Sequence, residues 1–108
     1  MLFLGIDAGT TGTKALVFDT QGRTLGKGYQ EYELFPSVGG RVEQRAEDWW
    51  NAVVCAVRTA VSDLSFEQKK EIVSLSLSTQ GASMLAVGKD FVPLGPVITW
   101  MDSRASQE

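Results

Sequence analysis

Three strand-like segments joined by short polar turns occupy the first 32 residues. Residues 2–6 are a near-continuous apolar run, typical of a strand covered on both faces. Residues 13–18 follow the loop from Gly9 to Gly12, which can make the hairpin connection because glycine accepts a positive φ at little cost, and residues 24–32 follow the turn DTQGR. Connections this short join antiparallel neighbours. The sequence therefore predicts an antiparallel meander whose third, more polar strand lies at an edge.

A helix and further strands are predicted after the meander. Residues 35–41 are expected to be a loop, and residues 66–70 a short helical turn that begins at a Ser-x-x-Gln capping box. Alternating serines and aliphatic residues predict a strand at 72–78, with shorter strands at 84–87 and 97–100. A helix over residues 46–62 is predicted from apolar residues three and four apart: Trp50, Val53, Val54, Val57, Val61 and Leu64. This order is α/β, without the strand–helix alternation of dinucleotide-binding folds.

Composition restricts the function classes. The 108 residues suit one modest domain, and the net charge of −3 argues against a nucleic-acid partner. The absence of histidine rules out a histidine base or metal ligand in this sequence. Cys55, the only cysteine, has no internal disulfide partner, which fits a cytoplasmic protein. No apolar run approaches the roughly 18 residues of a membrane span, so we expect no membrane partner.

The loop after the first apolar run has the composition of a phosphate site. The glycines, Gly9 and Gly12, let backbone N–H groups come close to an anion. Threonine hydroxyls and an ammonium group can add donors and positive charge, from Thr10, Thr11, Thr13 and Lys14. Asp7 alone would repel phosphate, but Mg²⁺ is commonly held through one or two carboxylates. These residues predict a magnesium–nucleotide site, with a polar hairpin in which Asp7 accepts backbone hydrogen bonds as the alternative.

Four stretches in order resemble the FGGY carbohydrate kinases of the actin-like ATPase superfamily. The first is LGIDAGTTGTKALVFD at 4–19, which is similar to the superfamily's first phosphate motif. The second is GGRVEQRAEDWW at 39–50, and the third is IVSLSLSTQGASMLAV at 72–87. The fourth is PVITWMDSRA at 96–105. The first motif is shared with chaperones, hexokinases and dehydratase activators, so the four together make the resemblance specific.

The resemblance implies an actin-like (ribonuclease H-like) fold and transfer of the γ-phosphoryl group of ATP to a sugar or polyol hydroxyl. By residue, Asp7 matches the acid near Mg²⁺, and Gly9, Thr10 and Thr11 match the loop around the phosphates. Lys14 matches a position that is basic in many relatives. ATP and Mg²⁺ are thus the implied cofactors, and this class works mainly by positioning and charge neutralisation.

The substrate side of the resemblance is less complete. Gln80, Gly81 and Ala82 stand where relatives carry a glutamine followed by polar sugar contacts, so no single specificity is carried over. Trp100 matches a tryptophan that packs against substrate, although a core tryptophan is the alternative. Asp102 and Arg104 match an acid and an arginine of several relatives, although a surface ion pair is the alternative.

The resemblance also sets expectations about the whole protein. It implies that residues 1–108 are the N-terminal portion of the first kinase domain, with the catalytic aspartate base and second domain beyond residue 108. This portion alone is expected to be inactive, and exposed apolar surface is expected to favour homo-oligomers. A chaperone- or activator-type ATPase and a binding module without catalysis stay open as alternatives.

Overall fold

The computed structural model describes residues 1–106, which fold into seven strands and two α-helices. In chain order these are β1 (Leu2–Ala8), β2 (Gly12–Asp19), β3 (Thr24–Glu31), β4 (Phe35–Ser37), β5 (Arg41–Gln44), α1 (Ala46–Ala60), α2 (Phe66–Lys70), β6 (Ile72–Thr79) and β7 (Val97–Ile98). A single 3₁₀ turn, Val38–Gly40, separates β4 from β5. The capping box of α2 forms as predicted, because Ser65 and Gln68 each accept a hydrogen bond from the other's backbone N–H. Neither described helix is long and apolar enough to cross a membrane.

The main sheet has the strand order β3-β2-β1-β6. The pairs β1–β2 and β2–β3 are antiparallel, which confirms the predicted meander with β3 at an edge. Strand β6 runs parallel to β1, with Leu75 opposite Leu4 and Leu77 opposite Ile6. A parallel neighbour needs a long crossover, and the segment that contains α1 and α2 provides it.

A second, small sheet has the order β4-β5-β7 and was only partly predicted. The prediction of a loop over 35–41 was wrong, because 35–37 and 41–44 pair as antiparallel strands. The predicted strand at 84–87 contains only two isolated bridges, and the last strand is limited to 97–98. Strand β7 pairs with β5, more than fifty residues earlier in the chain, so local patterns carry no signal for it.

Helix α1 packs across β2 and β3 with its small residues. Ala52, Ala56 and Ala60 are buried, whereas Trp50, the first residue of the predicted apolar stripe, is 67% exposed. The stripe was therefore right in part: Leu64 is buried and Val53, Val57 and Val61 pack against the core, whereas Trp50 does not. Within residues 1–106 the two helices leave the opposite face of the sheet uncovered, so a cover on both faces of the first strand stays a prediction. Leu2, Leu4 and Ile6 on the helix-facing side are the buried residues of β1.

Candidate functional site

The turn between β1 and β2 brings an acid and a base side by side. Asp7 and Lys14 are direct partners in the β1–β2 register, and Ser78 of β6 is the partner of Asp7 on its other side. Directly opposed residues share a face of the sheet, and this face is the one away from α1. Both charged residues are exposed. Within residues 1–106 the carboxylate of Asp7 accepts no hydrogen bond, whereas the polar-hairpin alternative required it to accept backbone hydrogen bonds. The carboxylate is therefore free to bind a ligand.

The carbonyl groups of this turn are held from inside the molecule. The Gly9 carbonyl accepts hydrogen bonds from the hydroxyl of Tyr32 and from Gln80 Nε2. The Thr11 carbonyl accepts from the backbone N–H of Tyr32 at 3.2 Å. Burial raises the pKa of the Tyr32 hydroxyl, which keeps it protonated as a donor. The backbone N–H groups of Thr10 and Thr11 donate to no acceptor within residues 1–106, so the turn can offer them to an anion.

Gln44, at the end of β5, is the buried centre of these contacts. Its side chain is 1% exposed, and its Nε2 donates to the Thr10 carbonyl at 2.8 Å. Its Oε1 accepts from Trp49 Nε1 at 3.1 Å and from Gln80 Nε2 at 3.2 Å. A buried amide with these partners fixes the Thr10 peptide, because breaking any one contact leaves a polar group unsatisfied.

The segment after β6 continues the network towards Trp100. Ser83 Oγ donates to Gln80 Oε1 at 3.1 Å and accepts from the backbone N–H of Trp100 at 3.2 Å. Between Gln80 and Ser83, Ala82 has a φ of 55°, a left-handed conformation that is uncommon for a residue with a Cβ. Such backbone conformations are concentrated at binding and catalytic sites.

The predicted roles of the glycines and of Thr13 need correction. Neither Gly9 nor Gly12 has a positive φ. A Cβ on Gly12 would lie 2.7 Å from the Gln30 carbonyl oxygen, so this glycine allows close packing of β3 rather than approach of a ligand. The Thr13 side chain is fully buried, and its hydroxyl has no hydrogen-bond partner within residues 1–106. It therefore cannot donate to a ligand in this arrangement.

Asp102 and Arg104 bind each other instead of the turn. The side chain of Asp102 is 2% exposed and accepts from Arg104 Nε at 2.8 Å, Arg104 Nη2 at 2.7 Å and the backbone N–H of Val42 at 2.8 Å. Arg104 Nη2 also donates to Glu43 Oε1 at 2.6 Å. The ion-pair alternative thus describes these two residues. They attach the chain after β7 to β5, next to Gln44.

The Asp102→Asn substitution should destabilise the chain at neutral pH and less so in acid. Hydrogen bonds from Arg104 hold the pKa of the Asp102 carboxyl below its usual 3.8. Its stabilising contribution is therefore complete above that value and lost as the pH falls through the lowered pKa. We expect urea unfolding to show the largest difference from the native chain at about pH 7, shrinking below about pH 4. A difference in unfolding free energy between the variant and the native chain that is the same at about pH 7 and below about pH 4 would contradict this role of the Asp102 carboxylate.

With this geometry established, comparison with known proteins identifies the family. The sequence profile described as "FGGY family of carbohydrate kinases, N-terminal domain" matches residues 2–108. The chain belongs to the FGGY family of carbohydrate kinases. Among its relatives, the apulose kinase of Pectobacterium atrosepticum is 34% identical over 110 residues, covering 98% of this chain and 21% of that protein. The glycerol kinase of Synechocystis sp. is 32% identical over 104 residues, covering 95% and 21%.

Solved structures place the fold in the same family. A gluconate kinase from Lactobacillus acidophilus superposes with a TM-score of 0.87 at 26% identity, covering 98% of this chain and 21% of that one. A xyloylose kinase from Brucella ovis gives 0.91 at 26% identity, covering 99% and 22%. The expected actin-like α/β fold is thereby confirmed. The FGGY chain spans about a fifth of the length of the relatives it matches.

The FGGY chain brings most of its predicted site residues to one end of the main sheet. Asp7, Lys14 and the turn at 9–11 lie there, and hydrogen bonds connect that turn to Gln80 and Trp100. Gly81 and Ala82 are exposed beside Gln80. Sequence reasoning missed the polar partners inside the site, which are the buried Gln44 and the partly buried Tyr32, Glu43, Trp49 and Ser83. Gln44 lies within the second stretch of family resemblance, but a single glutamine in a short strand carries no local signal of burial.

Proposed function

We propose that this chain is the N-terminal part of an ATP-dependent carbohydrate kinase and supplies its phosphate-binding turn. The observation that carries the proposal is the free Asp7 carboxylate beside a turn whose carbonyl groups are all engaged from inside the molecule. A turn arranged in this way presents donors to a ligand rather than acceptors. That polarity suits a polyanion such as the triphosphate of ATP.

The residues of the turn fit a magnesium-bound triphosphate. The N–H groups of Thr10 and Thr11, with their hydroxyls, would donate to phosphate oxygens, and Lys14 would add a positive charge. Asp7 would hold Mg²⁺, directly or through water, as exposed carboxylates commonly do. Thr13 is left out because it is buried. When bound, Mg-ATP supplies the phosphoryl group and the charge that neutralises it, and the chain's residues orient that group.

The part of the proposed site that would bind the phosphoryl acceptor, called the acceptor side, comprises Gln80, Gly81, Ala82 and Trp100. The half-exposed indole of Trp100 provides an apolar surface, and Gln80 fixes the segment beside it. The two small residues leave room and make no side-chain hydrogen bonds of their own. The relatives are named for glycerol, apulose, gluconate and xylulose, so the proposed substrate class is a sugar, polyol or sugar acid. Asp102 and Arg104 would shape this segment rather than contact substrate.

Two further parts of the proposal come from the sequence and the exposed surface. A cytoplasmic location is proposed from the single cysteine. Self-association of the chain is proposed because Leu75 and Leu77 of β6 are each 58% exposed beside α1. Exposed apolar side chains grouped in this way favour association.

A phosphorylation assay with the full-length kinase tests the proposed function. We expect Mg²⁺-dependent phosphate transfer from ATP to at least one of glycerol, xylulose, gluconate and apulose. The 108-residue chain alone is expected to give no transfer, because under the proposal it supplies only part of the site. Failure of the full-length protein on this panel and on a wider sugar panel would overturn the proposal. Transfer by the 108 residues alone would overturn the assignment of a partial site.

A further inference from the structure

The turn at 9–11 is connected directly to Trp100 by a side-chain hydrogen bond. The indole Nε1 of Trp100 donates to Thr10 Oγ1 at 2.9 Å, across ninety residues of sequence. The indole ring remains 55% exposed. Its backbone is held in place by Ser83 Oγ, which in turn bonds Gln80. One aromatic residue therefore touches the turn with its nitrogen and leaves its ring available to a second ligand.

This contact constrains the proton of the Thr10 hydroxyl. A threonine hydroxyl has one donor and two acceptor positions, whereas the indole nitrogen can only donate. When Trp100 occupies an acceptor position, the Thr10 proton must point away from the indole. The peptide of Thr10 cannot rotate freely either, because Gln44 holds its carbonyl at 2.8 Å. The hydroxyl is thus oriented to donate to a neighbouring acceptor.

We propose that Trp100 is a positioning residue which couples the two halves of the site. Its ring packs against the acceptor molecule while its nitrogen orients the Thr10 hydroxyl towards the phosphates. This inference rests on the proposed function. The 55% exposed indole already bonds Thr10 without acceptor, and packing of an acceptor against its ring would restrict its rotation and keep this hydrogen bond formed for more of the time. Binding of acceptor and binding of nucleotide then strengthen one another, and linkage requires the effect to be reciprocal.

The coupling is measured in the full-length kinase with a non-hydrolysable ATP analogue, Mg²⁺–AMPPNP, titrated with and without saturating acceptor. The acceptor is the compound that the native enzyme phosphorylates best in the panel above. Trp100→Phe keeps an aromatic ring and removes only the N–H donor. We expect it to weaken analogue binding about fivefold when acceptor is present, the order expected for one hydrogen bond, and by a smaller factor when acceptor is absent. The KM for acceptor should change less than the KM for ATP.

Two further variants separate coupling from general damage. Trp50→Phe is the matched control, since Trp50 is a 67% exposed tryptophan on α1 without a hydrogen bond to the turn. In a Thr10→Ala background, Trp100→Phe should add nothing, because the acceptor of its hydrogen bond is gone. Additive effects of the two substitutions would overturn the inference. So would a Trp100→Phe enzyme that loses acceptor affinity but keeps the native coupling. If the native enzyme phosphorylates nothing, the proposed function fails instead.

Discussion

Replacing Gly28 with alanine is expected to lower the free energy of unfolding of the chain by about 3 kcal/mol or more. Gly28 lies on β3 directly beneath α1, and an added Cβ would overlap the Ala56 carbonyl oxygen. The next glycine on this face, Gly26, meets the Ala60 carbonyl in the same way. Backbone atoms cannot rotate away as a side chain can, so the helix itself must move. Thermal unfolding should show a midpoint at least about 10 °C lower.

Gly95→Ala is the matched control for this substitution. A Cβ at Gly95 would meet no atom within 4 Å, and the residue does not have a positive φ. We expect this variant to unfold within about 0.5 kcal/mol of the native chain, as substitutions away from packed features usually do. If Gly28→Ala were as stable as Gly95→Ala, the close approach of α1 to β3 would be wrong.

The same contact explains why the sequence missed the small-residue part of the helix face that meets the sheet. A search for large apolar residues three and four apart selects Trp50, Val53 and Val57. These valines pack against the core, but the residues that approach β3 most closely are alanines four apart, opposite two glycines separated by one residue. Each alanine carries little apolar area, so a periodicity judged by hydrophobicity ranks this face low. The informative pattern was small residues on both elements, which signals close backbone approach.

Elements with a strong local pattern were predictable. The meander, the helix that ends at Ala60 and the alternating strand at 72–79 follow from turn residues, apolar spacing and alternation. The small second sheet was not, because Gln44 finds its strand partner at Val97. Short strands of this kind are formed by distant partners, and glycine and proline in 35–41 made the local pattern indistinguishable from a loop.

The exposed side chains of the site were predictable from the sequence, whereas the inner hydrogen bonds that hold the turn were not. Side chains that face outward, such as Asp7 and Lys14, follow from the position of the turn after the first strand. The burial of Thr13 follows from strand alternation, since it shares the helix-facing side with Ala15. Gln44 and Tyr32 could not be found, because a buried hydrogen bond to a carbonyl depends on tertiary packing. The pairing of Asp102 with Arg104 was one of two stated alternatives, and the structure contains that pair with the carboxylate buried.

The Asp7→Asn substitution is expected to reduce kcat/KM of the full-length kinase by about a hundredfold or more, because the lost carboxylate leaves the metal that stabilises transition-state charge poorly held. Asparagine keeps the size and shape of the side chain. Asp7 is exposed and accepts no hydrogen bond within residues 1–106, so stability should change by less than about 0.5 kcal/mol. The Mg²⁺ concentration for half-maximal rate should rise, while the KM for the acceptor should stay close to native.

Asp63→Asn is the matched control, since Asp63 is an exposed acid in the turn after α1, whose side chain bonds its neighbour Ser62. It should leave both the rate and the Mg²⁺ dependence unchanged. An Asp7→Asn enzyme with an undiminished rate would mean that the turn does not hold a metal-bound phosphate. A reduced rate accompanied by an equally reduced stability would point to a structural role instead. The proposed role predicts that rate and Mg²⁺ affinity fall while stability stays, because Asp7 makes no contact on which the fold depends.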